Sequence, residues 1–125
     1  MDTSTKNVVP PLPQLPVLHY LLSSSDGKFV AHCLDLDLVC VGDSRERAAR
    51  KLDGLVKAQI ELTLATGQLV NLTTKAPLHF WRQFIDGAPF NLGPQTIRIK
   101  IPENNEAAPH DQHENQVGIV AKLAA

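Results

Sequence analysis

The chain has 125 residues, the size of one small domain. Its formal charge is −1, from 12 basic and 13 acidic residues, so no global field attracts nucleic acid or an acidic membrane surface. Aromatic residues make up 5%, too few for the stacking platforms that bind single-stranded nucleic acid. No apolar run approaches the ~20 residues of a membrane span, and two cysteines form no disulfide framework. We therefore expect a cytoplasmic protein that does not enter the membrane.

The first part of the chain predicts an extended arm followed by an antiparallel meander. Residues 1–16 are rich in proline, which favours an extended segment that does not pack. Asp26-Gly27 is the strongest local signal for a two-residue hairpin turn. The three strands are predicted at residues 17–22, 28–34 and 38–41.

The two cysteines lie in the second and third of these strands. If the reversal between the strands is centred between Leu36 and Asp37, Cys33 lies directly opposite Cys40. We expect two free thiols nonetheless, with Cys33 acting as a small buried hydrophobic residue. His32 and Cys33 are adjacent in a strand and point to opposite faces, which is wrong for a base and its nucleophile.

A long helix follows the meander. Gly42 ends the sheet, Asp43 or Ser44 caps the helix, and Gly67 is placed to end it. The apolar positions recur with helical spacing, and we expect Leu52 and Leu55 to face the sheet. These positions are Ala48, Leu52, Leu55, Val56, Ile60 and Leu64.

The second half predicts a strand at 69–73, a short helix at 77–84, a strand at 95–101 and a polar, mobile tail at 102–125. The predicted fold is α+β: an antiparallel sheet of three to four strands covered by one long helix, within a domain at 17–101. Strand 95–101 carries isoleucines on one face and would leave a sheet edge that needs cover. We therefore expect a homodimer in which this strand is paired or exchanged between subunits.

Two short motifs resemble those of the HicB-like antitoxin domain. This family typically shows Cys-Pro-Glu-Leu, then Gly-Asp/Glu-Thr/Ser and Glu-Glu-Ala before a leucine-rich helix. The matching segments here are residues 33–36, 42–44 and 46–48, with Leu52 beyond them. Leu34 stands where the family usually has proline, and Arg47 where it usually has the second glutamate. The resemblance covers residues 17–66, about half of the chain.

The resemblance implies a reduced RNase-H-like β-β-β-α-β fold and a non-catalytic function. Such a domain binds and masks a small RNA-cleaving toxin of the HicA type. Relatives that repress their own operon carry a ribbon-helix-helix or helix-turn-helix segment after the domain. Residues 102–125 contain Pro102, Pro109 and Gly118 and no sustained apolar period, so we do not expect direct DNA binding.

Two groups of polar residues have the composition of a catalytic or metal site. Asp35 and Asp37 would point to one side of a strand and could hold metal ions for phosphodiester cleavage, which makes a metal-dependent nuclease the alternative function. A polar turn explains the same pair more simply. His110 and His113 lie in the polar tail without a further anchored ligand. We predict no catalytic residue, no metal ligand and no cofactor; an orphan regulatory or ligand-binding domain is a further alternative.

The best candidate for a partner surface is the aromatic cluster Phe80, Trp81 and Phe84, with the turn at Asp35 and Asp37 as a second candidate. Helical spacing puts Phe80 and Phe84 on one face with Trp81 beside them. The same pattern also fits a helix that closes the open face of the sheet. If Trp81 serves the partner surface, Trp81→Ala should weaken partner binding and leave the thermal midpoint nearly unchanged.

Overall fold

The computed structural model describes residues 17–67, 75–93, 96–100 and 115–124. Within these ranges, two helices pack on a mixed six-stranded sheet, which confirms the α+β class. No helix in the described part of the chain is long and apolar enough to span a membrane. The elements are β1 (Leu18–Ser25), β2 (Lys28–Cys33), β3 (Leu38–Gly42), α1 (Arg45–Thr66), α2 (Leu78–Asp86), β4 (Ala88–Pro89), β5 (Thr96–Ile99) and β6 (Asn115–Leu123).

The sheet has the strand order β3-β2-β1-β6, and both β4 and β5 pair with β6. The predicted antiparallel meander of β1, β2 and β3 is present. Strand β6 runs parallel to β1, so the chain crosses over between them, and α1 lies in that connection. The elements β1, β2, β3, α1 and β6 thus have the β-β-β-α-β order.

Strand β6 corrects the prediction of a mobile tail. Residues 115–124 belong to the domain, because Val117, Ile119 and Ala121 alternate into the core and are almost fully buried. The described part of strand 95–101 is β5, which pairs with β6 in the same chain. The proline-rich arm, the predicted strand at 69–73 and the segment that holds His110 and His113 lie outside the described residues.

The sequence predicted the first turn of the meander correctly and the second turn incorrectly. Ser25 pairs with Lys28 across Asp26 and Gly27, both with positive φ, so the hairpin is as predicted. In the next turn Cys33 pairs with Leu38, and Cys40 pairs with Ala31. The predicted opposition of Cys33 and Cys40 is therefore wrong. The turn spans residues 34–37, with Asp37 in the left-handed region at φ 55°, so its centre lies one residue earlier than expected.

Helix α1 covers one face of the sheet. Ser44 is the N-cap, since its Oγ accepts the backbone N–H of Arg47 at 3.0 Å, and Gly67 ends the helix at φ 76°. The buried stripe runs through Leu52, Val56 and Ile60. Leu55 was expected to face the sheet, but it is 40% exposed because it lies about 100° around the helix from Val56.

The outer edge of β5 is covered by side chains of α1. Lys57 Nζ donates to the carbonyl of Arg98 at 2.8 Å, and the backbone N–H of Lys100 donates to Glu61 Oε2 at 2.8 Å. Lys57 and Glu61 also form an ion pair with each other at 2.7 Å. Charged side chains on exposed backbone groups are a common means of blocking further strand pairing.

Candidate functional site

Helix α2 packs on the sheet face opposite α1. It follows Pro77, and the preceding Ala76 donates its N–H to the carbonyl of Leu34 at 2.8 Å, which anchors the helix to the β2–β3 turn. Phe84 is buried in a second, smaller core cluster, and Phe80 and Trp81 are partly buried beside it. Part of the aromatic cluster therefore closes this face of the sheet. The buried members of the second core cluster are Leu21, Leu34, Ala76 and Phe84.

Beneath α2, His19 and Asp35 form a close pair. The backbone N–H of His19 donates to Asp35 Oδ1 at 2.6 Å, and His19 Nδ1 lies 3.0 Å from Asp35 Oδ2. An ionised carboxylate only accepts hydrogen bonds, so Nδ1 carries the proton. The imidazole meets the rings of Trp81 and Phe84 edge-on, with centroids 5.3 Å away in both cases. The His19–Asp35 pair therefore packs against two aromatic rings of α2.

A second pair joins His32 to Asp37. His32 Nε2 lies 2.7 Å from Asp37 Oδ1, and the His32 side chain is only 8% exposed. Its ring contacts Phe80 edge-on at 4.6 Å. Each histidine of this face therefore bridges one aspartate of the turn and one or two aromatic rings of α2. The arrangement holds the turn, the sheet and the helix together by hydrogen bonds and ring contacts.

Sequence reasoning missed both pairs, although one signal was present. A two-residue hairpin at Asp26-Gly27 fixes the register of β1 and β2, which places His19 opposite Leu34 and next to Asp35. The His32–Asp37 pair depends on the left-handed backbone conformation of Asp37, which no local sequence pattern predicted.

The two aspartates do not converge on a shared point. Both lie in the turn at 34–37, which agrees with the interpretation as a polar turn, and each carboxylate is bonded to a different histidine. Within the described ranges, no group of three or more His, Cys, Asp or Glu side chains is arranged to hold a metal ion. The geometry of Asp35 and Asp37 is accounted for by their structural hydrogen bonds.

The cysteines are both free. Cys33 is fully buried, and burial raises the pKa of its thiol to about 12. Cys40 is partly buried on the same sheet face, and burial also raises the pKa of its thiol. Cys33 lacks the accessible setting that activates a catalytic cysteine, and at Cys40 the effect of burial on the pKa outweighs that of the nearby Lys51.

The outer side of α2 carries an apolar stripe that sequence reasoning had not singled out. Leu78 and Ile85 are 65% and 69% exposed, and Trp81 lies between them. The spacing i, i+3, i+7 places these three side chains in one line along the helix. Trp81 is shared between the two sides, since its Nε1 donates to the Ala76 carbonyl at 3.2 Å while its ring contacts His19. We call Leu78, Trp81 and Ile85 the α2 stripe.

Comparison with protein-family models, with curated proteins and with solved structures found no match to this chain.

Proposed function

We propose that this protein is a non-catalytic, HicB-like protein-binding module that acts as a cytoplasmic homodimer and masks a small toxin of the HicA type. The proposal is supported by the motif residues 33–36 and 42–48 together with the β-β-β-α-β order of the fold. Two residues of this motif, Gly42 and Ser44, have structural roles in joining β3 to α1. Gly42 lies against the backbone of α1, and Ser44 caps that helix.

The observation that carries a binding function is the α2 stripe. Two large aliphatic side chains, Leu78 and Ile85, are more than half exposed on a helix whose opposite side is already packed on the sheet. Three apolar residues in one line at helical spacing form a surface on which another helix or a strand packs. Trp81 supplies an aromatic anchor at the centre of this line, and aromatic anchors concentrate binding energy.

The partner-binding experiment uses a HicA-type toxin encoded beside the gene, made catalytically inactive and purified. Calorimetric titration should give a Kd that rises at least tenfold in Leu78→Glu and in Ile85→Glu, since a charge is then desolvated at the interface. The thermal midpoints of both variants should stay close to that of the wild type, because both side chains are exposed in the free protein.

Leu62→Glu is the matched control. Leu62 is also a helical leucine and is 60% exposed, but it belongs to α1 on the other side of the sheet. It should leave the Kd unchanged. Equal binding by Leu78→Glu and the wild type would remove the α2 stripe as the partner surface. A protein that binds no HicA-type toxin at all would favour an orphan regulatory domain.

Trp81→Ala is a less selective probe than sequence reasoning suggested. Its side chain contacts His19 and the Ala76 carbonyl, so truncation removes contacts within the domain as well as any contact with a partner. Leu78 and Ile85 separate the two effects because neither is buried.

A further inference from the structure

Among the described residues, strand β3 is the outermost strand of the sheet on the side away from β6. Its residues, 38–42, include no charged residue and no proline, and Val39 and Val41 are 48% and 45% exposed. Such an edge offers backbone groups to another strand unless it is blocked. Lys51 Nζ donates to the carbonyl of Val41 at 3.1 Å from the exposed flank of α1. At the edge of β5, by contrast, the ion pair of Lys57 and Glu61 bonds two backbone groups, the carbonyl of Arg98 and the N–H of Lys100.

The bond from Lys51 shows which residues of β3 face outward. In an antiparallel strand the N–H and C=O of one residue point to the same side, and the direction alternates along the strand. The carbonyl of Val41 points away from β2, and so do the backbone groups of Val39. A second copy of β3 running antiparallel can then place its Val41 opposite Val39 in hydrogen-bonded pairs. Cys40 falls on the twofold axis, in a non-hydrogen-bonded pair with itself.

Helix α1 provides a second surface on the same side of the molecule. Because Lys51 reaches the edge of β3, its side of the helix faces that edge, and Leu55 lies one turn further on the same side. Leu55 is 40% exposed. Helix α1 packs over β3 and β2, and strands are spaced about 4.8 Å apart. Two such helices related by a twofold axis at the β3 edge would lie about 10 Å apart, which is a normal packing distance.

We propose that two copies of this chain pair through β3, antiparallel and about a twofold axis at Cys40, so that their sheets become continuous and their α1 helices pack at Leu55. We infer that a second copy of the chain binds this edge for two reasons. The uncharged strand can pair with itself in an antiparallel register, and the exposed Leu55 lies on the same side of the molecule as the β3 edge. The inference rests on the homodimer of the proposed function and names its surface. Lys51 releases the Val41 carbonyl to the second strand.

The first measurement is the mass in solution by light scattering between low and high micromolar concentration. The wild type should be a dimer, and Val39→Lys/Val41→Lys should raise the dimer dissociation constant at least tenfold. Lysines at these positions lie directly opposite each other across the joint, where like charges repel. Val120→Lys is the control, because Val120 is a valine with 42% exposure on the interior strand β6. It should leave the dimer intact.

The second measurement uses the native cysteines to test the register. In a non-hydrogen-bonded antiparallel pair the two Cα atoms lie about 4.5 Å apart, within the range that a disulfide spans. With copper(II) phenanthroline as oxidant, two complexes each take up one electron as two Cys40 thiols lose their protons and form a disulfide. The covalent dimer should appear on a non-reducing gel with the wild type and with Cys33→Ser, and disappear with Cys40→Ser.

The outcomes separate the inference from the dimer itself. A monomer at all concentrations overturns both. A dimer that persists in Val39→Lys/Val41→Lys, or one that gives no Cys40 cross-link, overturns the β3 interface and leaves the homodimer standing. A dimer lost in Leu78→Glu but not in the β3 double variant would assign dimerisation to the α2 stripe instead. Loss of the dimer in the double variant together with a Cys40 cross-link supports the inference.

Discussion

Gly42 lies against the backbone of Ala48 so closely that a Cβ on Gly42 would be 2.6 Å from the Ala48 nitrogen. This contact joins the end of β3 to the first turn of α1. The Gly-Asp-Ser junction at residues 42–44 is therefore a packing and capping feature. The glycine is required by space, and Ser44 is required by the helix cap.

We expect Gly42→Ala to destabilise the domain by about 1–3 kcal/mol, the range for overpacking, because the obstructing atoms are backbone. The control is Gly54→Ala within α1, where a Cβ meets nothing within 4 Å. That change should stabilise the domain by about 0.5–1 kcal/mol through helix propensity. Urea denaturation measures both. Equal effects of the two alanines would show that the β3–α1 contact is looser than described.

Leu52 and Leu55 should respond differently to truncation. Leu52 is fully buried, so Leu52→Ala should cost about 2–5 kcal/mol of the free energy of unfolding. Leu55→Ala should cost the monomer clearly less, about 1 kcal/mol at most, because the side chain is 40% exposed. The free energy of unfolding should be measured by urea denaturation at low protein concentration, where dimer formation does not add to the stability. Similar losses would indicate that the helix is rotated.

Glu61 should give α1 a contribution to stability that depends on pH. Its hydrogen bond from Lys57 lowers the pKa of the carboxyl below its ordinary value of 4.5, and the N–H of Lys100 acts in the same direction. A carboxyl with a depressed pKa stabilises the fold above its unfolded value, and loses this effect as the pH falls through the folded value.

The stability difference between the wild type and Glu61→Gln should therefore be larger at neutral pH than well below pH 4.5. Thermal unfolding of both proteins from neutral to acidic pH measures the difference. Glu46→Gln is a control on the exposed first turn of the same helix. A constant difference at all pH values would mean that Glu61 acts by packing alone.

The two thiols should differ in reactivity. Cys33 is fully buried with a pKa raised to about 12, so iodoacetamide near pH 8 should leave it unmodified in the folded protein. At low protein concentration, where a dimer does not cover it, Cys40 is more accessible and should react first, though more slowly than a fully exposed thiol because burial raises its pKa too. Mass spectrometry of peptides after timed labelling distinguishes the two sites. Rapid labelling of Cys33 would show that β2 opens readily.

The purified protein should not cleave RNA or DNA in the presence of Mg²⁺ or Mn²⁺. Asp35 and Asp37 are each bonded to their own histidine, and neither carboxylate is directed to a shared ion. A fluorogenic nuclease assay is the measurement. Metal-dependent cleavage that is abolished in Asp35→Asn, while that variant stays folded, would establish the nuclease instead of the binding module.

Local patterns in the sequence were sufficient for those elements that local interactions determine. Asp26-Gly27 predicted the first hairpin, and the spacing from Ala48 to Leu64 together with Gly67 predicted α1. Strand β6 was missed because it is parallel to β1, so no hairpin turn announces it, and Gly118 and Lys122 dilute its apolar alternation. The site was only half predicted. The inward side of α2 followed from its aromatic residues, whereas the outward exposure of Leu78 and Ile85 depends on how the helix docks.

The parallel pairing of β1 with β6 also has a consequence for the order in which the domain is made. The ribosome synthesises β6 after every other described element, yet this strand occupies the centre of the sheet between β1 and the β4–β5 side. Until residues 115–123 have been made, β1 and β5 each have an edge that lacks its partner strand. Sequence-distant pairing of this kind slows folding and leaves strands exposed in the meantime. The sheet of the described residues can therefore close only after β6 has been made.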